Sequence, residues 1–224
     1  MNNVKVALSD SRVLFRKGIR FVLSGEEGFN IIGETNNNSN LYDILLDDPP
    51  DVVFVGMTDN WQKDLNLIYH IRRNLPSVSV ILVLHEDGVD KIASAIACGI
   101  SAYITINTDG VSILDTVKSV MQGDLPIIDT MLIPDVASEV YKNFSWIRKL
   151  RSELRAYLMQ LSPRETEILT GISSGMKIDQ VARTLNSDKN AVINTVKSIR
   201  SKYIANYISR LLVENAQQNV FPIL

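Results

Sequence analysis

Between residues 4 and 123 the chain alternates five times between a short apolar run and a segment of helical spacing. No other feature narrows its fold as much. The runs are VKVALSD (4–10), FNIIGET (29–35), DVVFVG (51–56), VSVILVL (78–84) and SAYITI (101–106), rich in β-branched residues. Each reads as a strand buried on both faces. The segments between and after them are VLFRKGIRFVLSG (13–25), NLYDILLD (40–47), LNLIYHIRRN (65–74), VDKIASAIACG (89–99) and GVSILDTVKSVMQG (110–123). In the first of these, apolar residues fall at 14, 15, 19, 22 and 23, a helical interval.

Five βα units imply a parallel sheet covered on both faces, with right-handed crossovers. Units of this size suit the flavodoxin-like strand order 2-1-3-4-5, in which functional groups gather at the carboxyl ends of the strands. The fold class expected is therefore α/β, with an all-α region behind it. The domain boundaries expected are 1–123, a connecting segment 124–160, and 161–224.

Charge divides along the same lines. Residues 1–141 hold 10 Lys and Arg against 19 Asp and Glu; 142–159 hold 5 against 1, and 160–224 hold 8 against 5. An acidic front and a basic rear suggest two domains with different partners. WIRKLRSELRAYLMQ (146–160) reads as a basic amphipathic helix within the connector. The last region is helical throughout. SPRE (162–165) is a capping box, with Pro163 at the first helical position and Gly175 at the far end. KIDQVARTLN (177–186) follows, then SDKNAVINTVKSIRSKYI (187–204) with Ser187 as its expected N-cap, then a final helix over about 207–217.

At about 100° per residue, Val192, Val196, Ile199 and Tyr203 share one side of the 187–204 helix, which must be buried. Asn190, Ile193, Asn194, Lys197, Arg200 and Ser201 share the other, where no acid falls. Amides pair bidentately with adenine, and Arg or Lys with guanine. Two helices joined by a short turn, the second carrying such a face, make a helix-turn-helix.

Residues 161–217 resemble the LuxR-type DNA-binding domain of NarL/FixJ response regulators. The resemblance rests on LSPRETEIL (161–169), Gly175, QVARTLN (180–186) and NAVINTVKSIRSKY (190–203). It implies base contacts by Ile193, Asn194 and Lys197 and a phosphate contact by Lys202; Lys189 and the remaining residues of the helix face, Asn190, Arg200 and Ser201, complete the expected interface. It also implies a dimer on double-stranded DNA, with half-sites about one helical turn apart. The chain departs from the family where Asn190-Ala191-Val192 opens the reading helix, at Thr195, where a histidine is common, and at Lys177, where Ser or Thr often caps. These changes bear on the target sequence rather than on the fold.

The first 123 residues resemble the family's receiver domain through LFRKGIR (14–20), PDVVFV (50–55) and ACGISAYI (97–104). The resemblance implies a phosphoacceptor aspartate just after the third strand, and that position is Gly56. It implies a pair of acids after the first strand to hold Mg²⁺, and the pair is Asp10 and Ser11. It implies a Ser or Thr after the fourth strand, where Leu84 or His85 falls, and a lysine after the fifth, where Ile106 stands. Asp59 and Asp64 lie too far past the strand to substitute. The expectation is a degenerate receiver that works without phosphorylation, binds no metal and leaves Asp10 in a structural or solvated role. Either it serves as a dimerisation platform, or the vacated pocket takes a small ligand near His85, Thr105 and Asn107.

Other function classes find less support. One cysteine, Cys98, excludes an internal disulfide and reads as a buried apolar residue, and two histidines leave a Cys/His zinc site without ligands. No phosphate loop and no nucleophile–base pair appears, so neither an enzyme nor a cofactor is expected. The absence of a signal-peptide pattern and of a long apolar run suggests a cytoplasmic protein with no membrane partner. The leading expectation is a homodimeric DNA-binding regulator. The alternative is an accessory subunit that heterodimerises with another response regulator.

Overall fold

The computed structural model describes residues 3–85, 88–147 and 158–220. Trp146, Ile147, Ile208 and residues 210–220 are described by their backbone only. Two compact units are present. One comprises the residues up to Lys91 together with Cys98–Ile127, and the other Ile92–Ala97 together with the chain from Ile128 onward.

In the first unit five parallel strands lie in the order β2-β1-β3-β4-β5, as the alternation predicts. The strands are β1 (Val4–Ser9), β2 (Phe29–Thr35), β3 (Val52–Gly56), β4 (Ser79–Leu84) and β5 (Ala102–Thr105). The helices that follow the strands in sequence are α1 (Val13–Ser24), α2 (Leu41–Asp47), α3 (Trp61–Asn74), α4 (Val89–Cys98), of which Ile92–Ala97 count with the second unit, and α5 (Gly110–Met121). Alternate residues of the central strands point to one face of the sheet. Val6, Leu8, Val52, Phe54, Ile81 and Val83 pack with Ile19 and Leu23 of α1 and Ile113 and Val117 of α5. The strands are buried on both sides, so their apolar runs are continuous rather than alternating. Helix α3 begins four residues earlier than its apolar spacing predicts, because the Asn60 side chain accepts from the Lys63 amide and caps it.

The second unit contains α6 (Ile127–Met131), α7 (Pro134–Ile147), α8 (Pro163–Ser173), α9 (Ile178–Thr184) and α10 (Lys189–Val220). Much of 127–147, within the expected connector, is thus helical, and α7 packs against α8. The Phe144 and Tyr203 rings meet at 5.8 Å between centroids. The basic helix expected over 146–160 falls mostly outside the described residues. Cys98 is buried, as expected. Among the described residues, no helix is long and apolar enough to cross a membrane.

Two local expectations need correction. The cap of the reading helix is Asp188, not Ser187: the Asp188 Oδ1 accepts from the Ala191 amide at 2.8 Å. Ser187 instead accepts a hydrogen bond from Arg164 at 2.8 Å. The final helix over 207–217 is not separate either. Residues 189–220 form one helix of 32 residues, and this stretch contains neither glycine nor proline to break it.

Candidate nucleic-acid interface and strand-end site

The helix-turn-helix is built from its caps inward. The Glu165 amide donates to Ser162 Oγ at 3.2 Å, and the Ser162 amide donates to Glu165 Oε2 at 2.7 Å, completing the capping box. Gly175, at φ +86°, turns the chain out of α8, a left-handed conformation that glycine adopts without steric cost. Asn186, at φ +46°, makes the turn between α9 and α10, and asparagine tolerates that conformation better than most residues.

Val192, Val196, Ile199 and Tyr203 are buried beneath α10 with Ile168, Leu169, Ile172 and Val181. That burial fixes the rotation of the helix. Lys189, Asn190, Asn194, Lys197 and Ser201 are left exposed, and Ile193 and Arg200 half-buried. Lys189 lies 3.5 Å from Asp179, a pair exposed on both sides and energetically slight. Ser201 donates its hydroxyl to the Lys197 carbonyl. Among the described residues, none hydrogen-bonds the side chains of Asn190, Asn194 and Lys197, which present an open row of donors and acceptors.

Lys202 stands apart from this set. Its ammonium donates to Glu165 Oε2 at 2.6 Å and to the Gln160 carbonyl at 3.1 Å. Ser198 Oγ donates to the other Glu165 oxygen at 2.9 Å. Glu165, 5% exposed, therefore caps α8 and grips α10 at once. Burial alone would raise its pKa. The Lys202 ammonium, the Ser162 amide and the Ser198 hydroxyl outweigh that and hold it below the ordinary 4.5. Further along α10, Asn206 exchanges two hydrogen bonds with the backbone of Met159, at 2.7 and 2.8 Å. The capping motif alone shows neither contact, since their partners lie 37 and 47 residues apart.

The strand-end site forms where β1 and β3 run side by side, bringing Asp10 and Gly56 together. This is the switch point of the sheet. Asp10 is 3% exposed, and its carboxylate faces Arg12. The Arg12 amide and Nε donate to Oδ1 at 2.7 and 2.8 Å, and Nη2 donates to Oδ2 at 2.5 Å. Arg16 donates to the Asp10 carbonyl and, through Nε, to Glu34 at 2.8 Å. Arg20 reaches the same Glu34 carboxylate, and the two guanidinium groups, Arg16 foremost, hold that carboxyl below its ordinary 4.5.

On the other side of Gly56, Asn38 donates to the Gly56 carbonyl at 2.9 Å and to Asp64 at 2.7 Å. Asp64, in the first turn of α3, also accepts from the amide and hydroxyl of Thr58, each at 2.7 Å, so this buried acid is engaged at both oxygens. Asp59 is exposed. Leu84 is buried at the end of β4, where its carbonyl accepts from the Ile106 amide at 3.1 Å. His85, Asn107 and Ser11 are exposed, and Thr105 is half-buried. An open cleft of about 800 Å³ adjoins the site, with Asn36, Tyr42, Lys63, Asn66 and His70 among its walls.

These residues do not fit a divalent metal. Mg²⁺ requires near-octahedral hard oxygen ligands. Asp10 is the carboxylate that β1 brings beside Gly56, and the Arg12 fork engages both its oxygens. Among the described residues, no group of three His, Cys, Asp or Glu side chains could hold a metal ion. Sequence reasoning missed Arg12, Arg16 and Asn38, although Arg12, Arg16 and Arg20 recur at the four-residue interval that stacks side chains along one helix face.

No protein-family model matches the chain. It is 23% identical over 220 residues to the transcriptional regulatory protein DegU of Brevibacillus brevis, covering 96% of this chain and 93% of DegU. It is 25% identical over 217 residues to the response regulator protein VraR of Staphylococcus epidermidis, covering 97% and 94%. Among solved structures, RcsB of Salmonella typhimurium superposes with a TM-score of 0.52 at 21% identity, over 93% of this chain and 99% of RcsB. The receiver domain of NarL from Mycobacterium tuberculosis matches with a TM-score of 0.52 at 20% identity, over 55% of this chain and 99% of its own. The five-stranded sheet in the order 2-1-3-4-5 followed by a helical carboxy-terminal region is the fold that this chain shares with RcsB, and its likeness to DegU and VraR runs along nearly its whole length.

Proposed function

We propose that the protein is a sequence-specific DNA-binding transcription regulator that acts as a dimer and does not depend on phosphorylation. The exposed row of Asn190, Asn194 and Lys197, held outward by the burial of Val192, Val196 and Ile199, carries the DNA-binding part of this reading. RcsB, one of the structural relatives, has been solved on promoter DNA and as dimers bound to DNA. Independence from phosphorylation is supported by Gly56, which has no side chain to accept a phosphoryl group, and by Ile106, which cannot neutralise one.

Helix α1 offers a face for the dimer. Leu14 is 87% exposed and Phe21 81%, seven residues apart and so on the same side, with Gly18 open between them. A second copy of the chain covering this stripe would remove both side chains from water. Covering by a different response regulator would produce the heterodimer instead, and the mass of the purified species separates the two.

The deciding experiment is a binding-site selection from genomic DNA with the purified chain, run with and without acetyl phosphate and Mg²⁺. One motif unchanged between the two conditions is expected. A motif that appears only with acetyl phosphate, with phosphoryl mass on the protein, would overturn the reading.

A further inference from the structure

Three features interlock at the end of β1. Position 56 has no side chain. The Asp10 carboxylate lies in the space where one would begin: a Cβ on Gly56 would stand 2.7 Å from Asp10 Cγ and 3.0 Å from its Cα. The carboxylate in turn is held by Arg12 through its amide, Nε and Nη2. The guanidinium is itself braced, with its carbon 5.5 Å from the centre of the Phe15 ring. Arg16, one turn further along α1, ties down the Asp10 carbonyl.

From this arrangement we infer that Arg12 is the resident cation of the strand-end site. It balances the charge of Asp10 in place of a divalent metal and holds the site in one metal-independent arrangement. The inference rests on the phosphorylation-independent reading and deepens it. A buried carboxylate needs a counter-charge and hydrogen bonds to remain ionised. A metal would bring the charge but requires further oxygen ligands, and the neighbours here are Ser11, which is neutral, and Gly56, whose carbonyl already accepts from Asn38. Arginine supplies charge and a planar donor fork together, and it does not deprotonate in the physiological range. The bare position 56 and the guanidinium at position 12 thus depend on one another. With a side chain at 56 the carboxylate could not occupy its present position, and without Arg12 it would lie buried and unpaired.

The test is a set of thermal melts of the full chain with and without millimolar MgCl₂. It uses wild type, Arg12→Ala, Asp10→Asn and the double variant, with Arg12→Gln as a milder substitute should Arg12→Ala not fold. Wild type should show no shift with Mg²⁺. Arg12→Ala should melt roughly 10 °C lower, from the usual cost of stranding a buried charge. The double variant should recover most of that loss, because the stranded charge is gone. Mg²⁺ should move neither variant, because one carboxylate beside a neutral serine does not hold the ion. A metal shift in wild type or in Arg12→Ala, or no coupling between positions 10 and 12, would each overturn the inference. Mass measurement after acetyl phosphate treatment of the same samples keeps the two readings apart. Phosphoryl uptake by wild type defeats the phosphorylation-independent reading itself, whereas metal binding without uptake defeats only the role given to Arg12.

Discussion

Lys197 and Lys202 lie five positions apart on one helix and do different work. Lys197 is exposed on the open row, while Lys202 is joined to Glu165 at 2.6 Å. Lys197→Ala should therefore weaken specific DNA binding about tenfold while leaving the melting temperature unchanged, as fluorescence anisotropy and calorimetry would show. Lys202→Ala should cost about 2 kcal/mol of stability, because it leaves Glu165 buried without its cation. Acidity probes the same contact. The folded-state pKa of Glu165 lies below the ordinary 4.5, so its contribution is present above that value and fades as pH falls through the depressed one. Urea melts from about pH 6 down to about pH 3 should show this loss, and Glu165→Gln should flatten the dependence. At Gly56, Ala alone should destabilise by about 1–3 kcal/mol through overpacking against Asp10, and an unchanged urea midpoint would mean the carboxylate swings aside freely.

Among the elements, strands were the most legible in the sequence. A run such as VILVL (80–84) admits few alternatives once turns bound it, and β4 follows it closely. The caps at Ser162 and Gly175 were legible for the same reason, since each depends on residues within a few positions. Contacts across distance were not. Asn206 holds the backbone of Met159, and nothing local in either segment announces the pair. Asn206→Ala should lower stability by about 1–3 kcal/mol by leaving that backbone unpaired, measurable by thermal melting. The unbroken α10 was legible in principle, because 189–220 holds no glycine or proline where the expected break would fall. At the strand end, the sequence showed glycine at position 56 and isoleucine at position 106 but not the pairing of Asp10 with Arg12. Arg12 meets Asp10 in the short link between β1 and α1, at the carboxyl end of the sheet.

For the whole molecule, the proposed function makes association with DNA a salt-sensitive event. Log affinity should fall linearly with log salt, and each Lys or Arg removed from a phosphate contact should reduce the slope by about 1. On the proposed reading, Leu14→Lys with Phe21→Lys should convert a dimer to monomer in sedimentation, and the melting temperature should lose its dependence on protein concentration. The strand end closed by Asp10 and Arg12 has a consequence in time. A regulator that gains and loses a phosphoryl group resets as fast as that group is removed. On the reading proposed above, a regulator whose site carries its own fixed countercharge has no such clock. Its output would follow the number of copies present, so a promoter under its control would respond at the pace of synthesis, dilution and turnover of the chain itself.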